Sequence, residues 1–130
     1  MSSYRDLRVW QAGMDLVEEI YRLSELFPKH ELYGLTSQLR RAAVSVPSNI
    51  AEGHTRDSTR EYIRHVSIAR GSLAEVDTQL EIAFRLGYCA ADNLERLRSV
   101  ASPLGRQLIA LRSALLRTLE ESIKNAGPVP

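Results

Sequence analysis

The sequence predicts an all-α protein, an antiparallel up-and-down bundle of four helices. Apolar residues recur every three or four positions in four long segments, and no segment shows the sustained alternation of a strand. The turn signals between the segments are short, which favours antiparallel neighbours. With 130 residues, of which 44% are hydrophobic and 25% charged, the chain is long enough to build one core.

Each segment has an apolar seam that is expected to face its neighbours. The seams are Leu7, Trp10, Met14, Val17 and Tyr21; Leu32, Leu35, Leu39, Ala42 and Val46; Tyr62, Val66, Ala69, Leu73, Val76, Leu80 and Ala83; and Leu94, Leu97, Ala101, Leu104, Leu108, Leu111 and Leu115. Further apolar residues lie outside the seams: Leu16, Ile20, Leu23 and Phe27 in the first segment, and Ile109 and Leu116 in the fourth. Two interpretations stay open for them, a broad core face and burial between subunits.

Capping pairs predict where the third and fourth helices begin, and glycines predict where the second and third end. These residues are Ser58 with Glu61, Asp92 with Glu95, in which Asp92 is the expected cap, and the two glycines Gly53 and Gly87. We expect a single domain over residues 1–124 and a flexible C-terminal tail over residues 125–130.

Two prolines fall inside helical segments, Pro47 in the second and Pro103 in the fourth. Because the apolar phase continues across Pro103, we expect continuous helices that are kinked at both prolines. At Pro47 the polar Asn49 occupies the seam position, and Ile50 is expected to take over its burial. The polar residues around Pro47 are expected either to repair the backbone or, through Ser48, Asn49 and Glu52, to form a polar pocket.

Charge and cysteine content exclude several classes of protein. The 17 basic and 16 acidic residues give a formal charge of +1, unlike a strongly basic nucleic-acid module. The single cysteine, Cys89, excludes an intrachain disulfide and a cysteine-rich zinc cluster. No run approaches the roughly 18 apolar residues of a membrane span, and the chain does not open on a secretory signal pattern. We therefore expect a cytoplasmic protein that does not contact membranes.

Enzyme signatures are absent from the sequence, which has no metalloprotease, phosphate-loop or nucleophile-elbow motif. We predict no catalytic residue, no cofactor, no metal ligand and no small-molecule substrate. A minor metal-binding or enzymatic hypothesis rests on one cluster of acidic and histidine residues around the second turn. Its members are Glu52, His54, Asp57, Glu61 and His65.

Arginine is the most informative bias, with 15 arginines against two lysines. Arg56, Arg60 and Arg64 are spaced four residues apart and fall on one helix face. Arg40 and Arg41 are expected to lie level with Arg70 and to extend this row. Arginine forks suit phosphate oxygens, so these six residues are the candidate nucleic-acid site; a solvated, salt-bridged face is the alternative.

Several strings resemble the four-helix-bundle family of 23S rRNA intervening-sequence proteins, to which the accessory variability protein of diversity-generating retroelements is similar. The most specific are S-V-P-S-N-I-A-E-G at residues 45–53 and G-S-L-A-E at residues 71–75; residues 6–12, 27–28 and 31–42 agree as well. The resemblance covers about residues 4–118. It implies an up-and-down bundle, assembly into a ring-like homopentamer with a central channel, and no enzymatic activity. The retroelement relatives are markedly basic and bind nucleic acid and a reverse transcriptase.

Together these observations predict a non-catalytic, oligomeric binding or scaffold protein. The expected partners are copies of itself, as a homopentamer, and RNA, DNA or a nucleic-acid enzyme bound through the arginine-rich face. The alternative is a purely structural protein–protein assembly that binds no nucleic acid.

Overall fold

The computed structural model describes residues 3–127, and four long helices account for most of them. The helices are α1 (Arg8–Ser24), α2 (Leu35–Thr55), α3 (Thr59–Arg85) and α4 (Ala91–Asn125). Two short 3₁₀ turns, Tyr4–Asp6 and Lys29–Glu31, precede α1 and α2. Within residues 3–127 there is no strand, and the predicted all-α four-helix fold is confirmed.

Polar contacts show how the helices follow one another around the bundle. Consecutive helices run antiparallel, and α1 and α4 meet to close the circle. The contacts join Arg40 to Ser24 (2.8 Å, α2 to α1), Ser72 to Ser45 (2.8 Å, α3 to α2), Arg98 to Asp77 (3.1 Å, α4 to α3) and Arg96 to Glu19 (2.9 Å, α4 to α1). The α1/α2 side and the α3/α4 side therefore lie on opposite faces of the molecule.

Helix α1 buries its second stripe more deeply than the predicted seam, although Leu7, Trp10 and Val17 of that seam still pack against the core. The buried residues belong to the second stripe, Leu16, Ile20 and Leu23, whereas Met14 and Tyr21 of the predicted seam are 38% and 41% exposed. The physical reason is Gly13, which lies on the buried face: a Cβ there would sit 3.3 Å from Cβ of Pro47. Only this face, which carries the glycine, lets α1 approach α2 closely. The spacing of apolar residues cannot reveal a contact that depends on the absence of a side chain.

The other three helices bury most of their predicted seams. Leu39, Ala42 and Val46 are buried in α2, five seam residues from Val66 to Ala83 are buried in α3, and Leu94, Leu97, Leu104 and Leu108 are buried in α4. Ile50 is fully buried beside the partly exposed Asn49, as expected. Leu32 is the exception: it precedes α2 and is 48% exposed.

Two predicted helix ends agree with the structure. The Ser58 hydroxyl accepts the backbone N–H of Glu61 at 3.3 Å and caps α3. Gly87 follows α3 with φ of +79°, in the left-handed region that favours glycine. The N–H of Tyr88 reaches the carbonyl of Ala83 at 2.9 Å, which completes a Schellman motif.

Two other predicted ends are wrong. Asp92 lies inside α4, which starts at Ala91; the Asn93 side chain instead accepts the N–H of Ala90 at 3.0 Å. Asn93, the third residue of the helix, thus performs the task predicted for Glu95, and the Asp92 side chain accepts the N–H of Asn93 at 2.9 Å. Gly53 does not end α2, because the helix continues to Thr55, and the glycine is buried against α3.

Both prolines lie inside continuous helices, Pro47 in α2 and Pro103 in α4. The kinks themselves stay a prediction. Helix α4 runs to Asn125, so the expected tail begins at the last helical residue; residues 128–130 of that tail lie outside the described residues. None of the helices in the described part is long and apolar enough to cross a membrane.

The loops at one end of the bundle are joined by a hydrogen-bonded carboxylate. Tyr88, after α3, donates its hydroxyl to Glu31 at 2.8 Å, and the other Glu31 oxygen accepts the N–H of Leu35 at 3.2 Å. These two bonds, the one from Leu35 first, hold the pKa of Glu31 below its ordinary value.

Candidate functional site

The six candidate arginines do not share one environment, and Arg40 is the most constrained of them. Its Nε donates to the buried hydroxyl of Ser24 at 2.8 Å, and its guanidinium carbon lies 4.5 Å from the ring centroid of Tyr21. A second nitrogen lies 3.4 Å from a carboxylate oxygen of Glu25. The Arg40 side chain is only 20% exposed, so it connects α2 to α1 inside the protomer.

Arg56 and Arg64, by contrast, are exposed but already paired with nearby acids. Arg56 is the extended residue that follows α2, so it does not share one helix face with Arg60 and Arg64 as expected. Arg56 donates to Glu52 at 2.8 Å, and Arg64 lies 3.4 Å from Glu61. Arg60, between them, has no carboxylate within 4.0 Å among the described residues. The predicted salt-bridged alternative therefore describes two of these three residues.

Arg41 and Arg70 lie on different sides of the bundle, so the expected level row is wrong. Arg41 lines the groove between α2 and α3, where Glu75 stands opposite it. Arg70 lines the groove between α3 and α4. The register follows from the hydrogen bond between Ser45 and Ser72, which places Arg41 more than one helical turn from the level of Arg70.

A chain of polar side chains joins α2 to α3 in the segment that contains Pro47. The Asn49 amide donates to the carbonyl and the hydroxyl of Ser45, at 2.9 and 3.0 Å. The Ser72 hydroxyl donates to the Ser45 hydroxyl at 2.8 Å. Asn49 thus supports the carbonyl of Ser45 rather than the carbonyl of Ala43, which Pro47 leaves without its helical partner.

His65 continues this chain and is 5% exposed. Its Nδ1 lies 2.9 Å from Asn49 Oδ1. Because the Asn49 amide nitrogen is used on Ser45, Oδ1 must accept, and His65 Nδ1 must carry the hydrogen. Nε2 is buried without a hydrogen-bond partner among the described residues, and the nearest carboxylate oxygen, on Glu52, is 3.9 Å away.

Gly53 permits this contact between the helices, a role that sequence reasoning missed. A Cβ at Gly53 would lie 2.8 Å from His65 Cβ and 3.0 Å from Tyr62 Cδ1. The available signal was spacing: Ser45, Asn49 and Gly53 are four residues apart and share one face of α2.

The cluster behind the metal or enzymatic hypothesis is divided among separate contacts. Glu52 and Glu61 pair with arginines, and His54 packs edge-on against Tyr62 with ring centroids 5.8 Å apart. Hydrogen bonding from Arg56 is the main cause that holds the pKa of Glu52 below its ordinary value. Across residues 3–127, no three histidine, cysteine or acidic side chains converge as a metal site would require.

The polar pocket considered for Ser48, Asn49 and Glu52 does not form around these three side chains. Ser48 is exposed, Asn49 bonds Ser45 and His65, and Glu52 bonds Arg56. The single cysteine, Cys89, is partly buried, and this burial raises the pKa of its thiol. A raised pKa disfavours the reactive thiolate.

Two apolar surfaces remain on opposite sides of the bundle. The α1/α2 face comprises Met14, Tyr21, Leu32, Tyr33 and Val44, which are 38–94% exposed. The α3/α4 face comprises Leu73, Ala74, Ala101, Gly105 and Ile109, which line a groove of about 350 Å³. Neither surface is covered by another element in the described part of the chain.

Comparison with known proteins identifies the family. A family model described as 23S rRNA-intervening sequence protein matches residues 5–110. A solved protein of unknown function from the S23 ribosomal protein family of Bacteroides thetaiotaomicron is similar, with a TM-score of 0.74 and 20% identity over 80% of this chain and 97% of that chain. At that identity the likeness shows the fold alone, and no curated protein matches the chain. Because the family model spans most of its length, the chain belongs to the 23S rRNA-intervening sequence protein family.

Proposed function

We propose that this protein is a non-catalytic scaffold that assembles as a ring-like homopentamer and acts in the cytoplasm by binding other macromolecules. The observation that carries the proposal is the pair of uncovered apolar surfaces, the α1/α2 face and the α3/α4 face. Tyr33 is 94% exposed on the first, and Ile109 is 50% exposed on the second. Exposed apolar surface of this kind marks protein–protein contact sites.

The placement of the two surfaces favours a ring over a simple dimer. A two-fold dimer uses one self-complementary patch on each subunit, whereas a ring joins two different patches head to tail. The α1/α2 and α3/α4 faces differ in shape and lie on opposite sides of the bundle, as a head-to-tail contact requires. The number five comes from the family resemblance.

Mass measurement in solution tests the assembly. Light scattering and native mass spectrometry of the full chain should give a mass near five times 14.6 kDa at micromolar concentration. Dilution should shift the population toward smaller species, because association is concentration-dependent. A mass of 14.6 kDa throughout the concentration range would refute the proposal.

For the partner of the assembly, the arginine environments favour protein over nucleic acid. Arg40, Arg56 and Arg64 already contact acids within the protomer, which leaves fewer positive charges for phosphates. Contact with RNA or DNA is the second candidate. It is favoured by Arg41, Arg60 and Arg70, which are exposed and have no carboxylate within 4.0 Å in the described part of the chain.

A salt titration separates the two partner classes. If Arg41, Arg60 and Arg70 contact phosphates, binding to a structured RNA should weaken with salt, with a logarithmic slope of about −2 to −3 per chain. The triple variant with glutamine at these positions should lose that slope. Arg22→Gln with Arg85→Gln, which alters two exposed and ion-paired arginines, is the control. Absence of binding at low salt would remove the nucleic-acid candidate and leave the scaffold proposal intact.

A further inference from the structure

We propose that one site on the α3/α4 side of the bundle binds phosphate groups through Arg70, Arg106 and Arg112. The inference deepens the nucleic-acid candidate, on which it rests only for the source of the phosphates, and it does not require the assembly. Of the arginines that favour that candidate it retains Arg70, and it adds two arginines of α4 that share its surface.

The formal charge of +1 conceals two neighbouring stretches that contain no acidic residue. Residues 62–74 of α3 include two arginines, residues 96–119 of α4 include five, and neither stretch includes an aspartate or a glutamate. These stretches lie side by side, because Arg112 contacts Ser67 and Arg98 contacts Asp77 across the antiparallel pair. The surface near Ser67 and Arg112 therefore combines basic residues from both helices without an acid among them.

The three arginines of the site take no part in the ion pairs of residues 3–127. The arginines that do form them are Arg22, Arg40, Arg56, Arg64, Arg85, Arg96 and Arg98. The nearest acids on this side, Asp77 and Glu81, both bond Arg98. Like charges that share a surface repel one another, and a bound anion would offset that repulsion.

Helix geometry places the three arginines around one residue of the groove. On α4, Arg106 precedes Ile109 by three residues and Arg112 follows it by three, so both lie on the face that Ile109 presents to the groove. The Nε of Arg112 donates to the Ser67 hydroxyl at 3.2 Å. Arg70, three residues after Ser67, lines the groove from α3.

The heights of the arginines along the bundle agree as well. The two contacts that fix the register of α4 against α3 place Arg106 level with the interval from Ala69 to Leu73. Arg70 lies within that interval, so Arg70 and Arg106 are within one helical turn of each other. Arg112 lies six residues, or about 9 Å, further along α4. A ligand with more than one phosphate can therefore contact all three.

The chemistry of the surface suits a phosphate that carries an organic group. Arginine forks donate paired N–H groups to phosphate oxygens, and the Ser67 hydroxyl, which accepts from Arg112, keeps its own hydrogen to donate. Ile109 is 50% exposed and offers apolar contact to a sugar or a base. Of the site residues only Arg70 and Ile109 line the groove, so the site adjoins the apolar α3/α4 face and does not fill it.

Two probes test the site and distinguish the sources of phosphate, a nucleic-acid strand and a free phosphorylated molecule. Binding of a short fluorescent single-stranded DNA is followed by anisotropy, and binding of ATP by calorimetry. Three phosphate contacts to a single strand give a logarithmic salt slope of about −2, so the affinity should fall about 20-fold between about 50 and 200 mM salt. Binding of ATP alone would keep the site and remove the nucleic-acid candidate.

A triple variant and a control of equal charge locate the binding. Glutamine at Arg70, Arg106 and Arg112 should abolish binding of whichever probe the wild type binds. The control carries glutamine at three exposed arginines on other parts of the protein, Arg8, Arg22 and Arg85, and should retain both the affinity and the salt slope. A triple variant that binds like the wild type, a control that loses as much affinity, or a wild type that binds neither probe would overturn the site. None of these results bears on the assembly, which is tested by its mass.

Discussion

Replacing Gly53 with alanine measures how tightly α2 packs against α3. The new Cβ would lie 2.8 Å from Cβ of His65, a distance that real Cβ atoms do not tolerate, and 3.0 Å from Tyr62 Cδ1. It would also come within 3.4 Å of the Tyr62 Cα, which belongs to the backbone of α3. Neither neighbour is the free end of a flexible side chain, so the helices themselves must separate.

Two opposing effects set the magnitude. Glycine inside a helix costs about 0.5–1 kcal/mol relative to alanine, so the substitution gains that amount. Forcing an extra carbon into a packed contact costs about 1–3 kcal/mol. The second effect is the larger here because His65 is held by Asn49 and cannot yield alone. We expect a net loss of about 1–2 kcal/mol, which for a chain of this size lowers Tm by about 4–8 °C.

Thermal unfolding followed by circular dichroism provides the assay, with all proteins at one concentration because assembly affects Tm. Gly71→Ala is the matched control: its Cβ would meet no atom within 4 Å, so only the helix-propensity gain remains. Its Tm should rise by about 2–4 °C. If Gly53→Ala raised Tm as much as Gly71→Ala, the close approach of α2 and α3 would be disproved.

Three further predictions concern single contacts. Arg40→Met should lower the free energy of unfolding, measured in urea, by about 1–2 kcal/mol, because it removes a hydrogen bond and a cation–π contact. An equal loss of unfolding free energy in the control Arg41→Met would contradict this prediction. Since the folded pKa of Glu31 is depressed, its ionised carboxylate stabilises the fold above the unfolded pKa, near 4.3, and this stabilisation is lost as pH falls through the folded pKa. In the Glu31→Gln variant, the urea midpoint should therefore change less between about pH 5 and 3 than it does in the wild type. An equal change of the midpoint with pH in both proteins would refute this prediction. Nitrogen chemical shifts should show the hydrogen of neutral His65 on Nδ1, and Asn49→Ala should release that tautomer; an Nε2-protonated ring in the wild type would exclude the inferred bond.

The bundle could be predicted from the sequence because three helices carry only one strong apolar seam each. Helix α1 carries two, and periodicity alone gives no reason to prefer either. The choice depends on Gly13, whose lack of a side chain admits Pro47 of α2. A pattern that counts apolar residues assigns no weight to a glycine at a contact, so it does not predict which of the two stripes is buried more deeply.

The candidate site was harder to predict because it depends on register between helices. Residue spacing places Arg60 and Arg64 on one face of α3, but Arg56 lies before that helix, at the C-cap of α2, so the expected row of three is wrong. Between helices, the level of Arg41 against Arg70 depends on the turn and on the packing at Gly53, which spacing does not specify. The spacing of four residues suggests Glu61 as the partner of His65 in a metal site, yet the hydrogen-bond partner of His65 is Asn49, sixteen residues away.

The segment at residues 45–53, which most strongly resembles the family, has a structural use for nearly every side chain. Ser45, Asn49 and Gly53 face α3, where they bond Ser72 and His65 or allow close approach. Pro47 packs against α1, and Val46 and Ile50 are fully buried in the core. Only Ser48 and Glu52 of this segment are exposed, so it offers little free surface on which to hold a partner. The residues that most resemble the family therefore explain the bundle, and the contacts proposed for its function lie elsewhere, on the uncovered faces of α1, α2, α3 and α4.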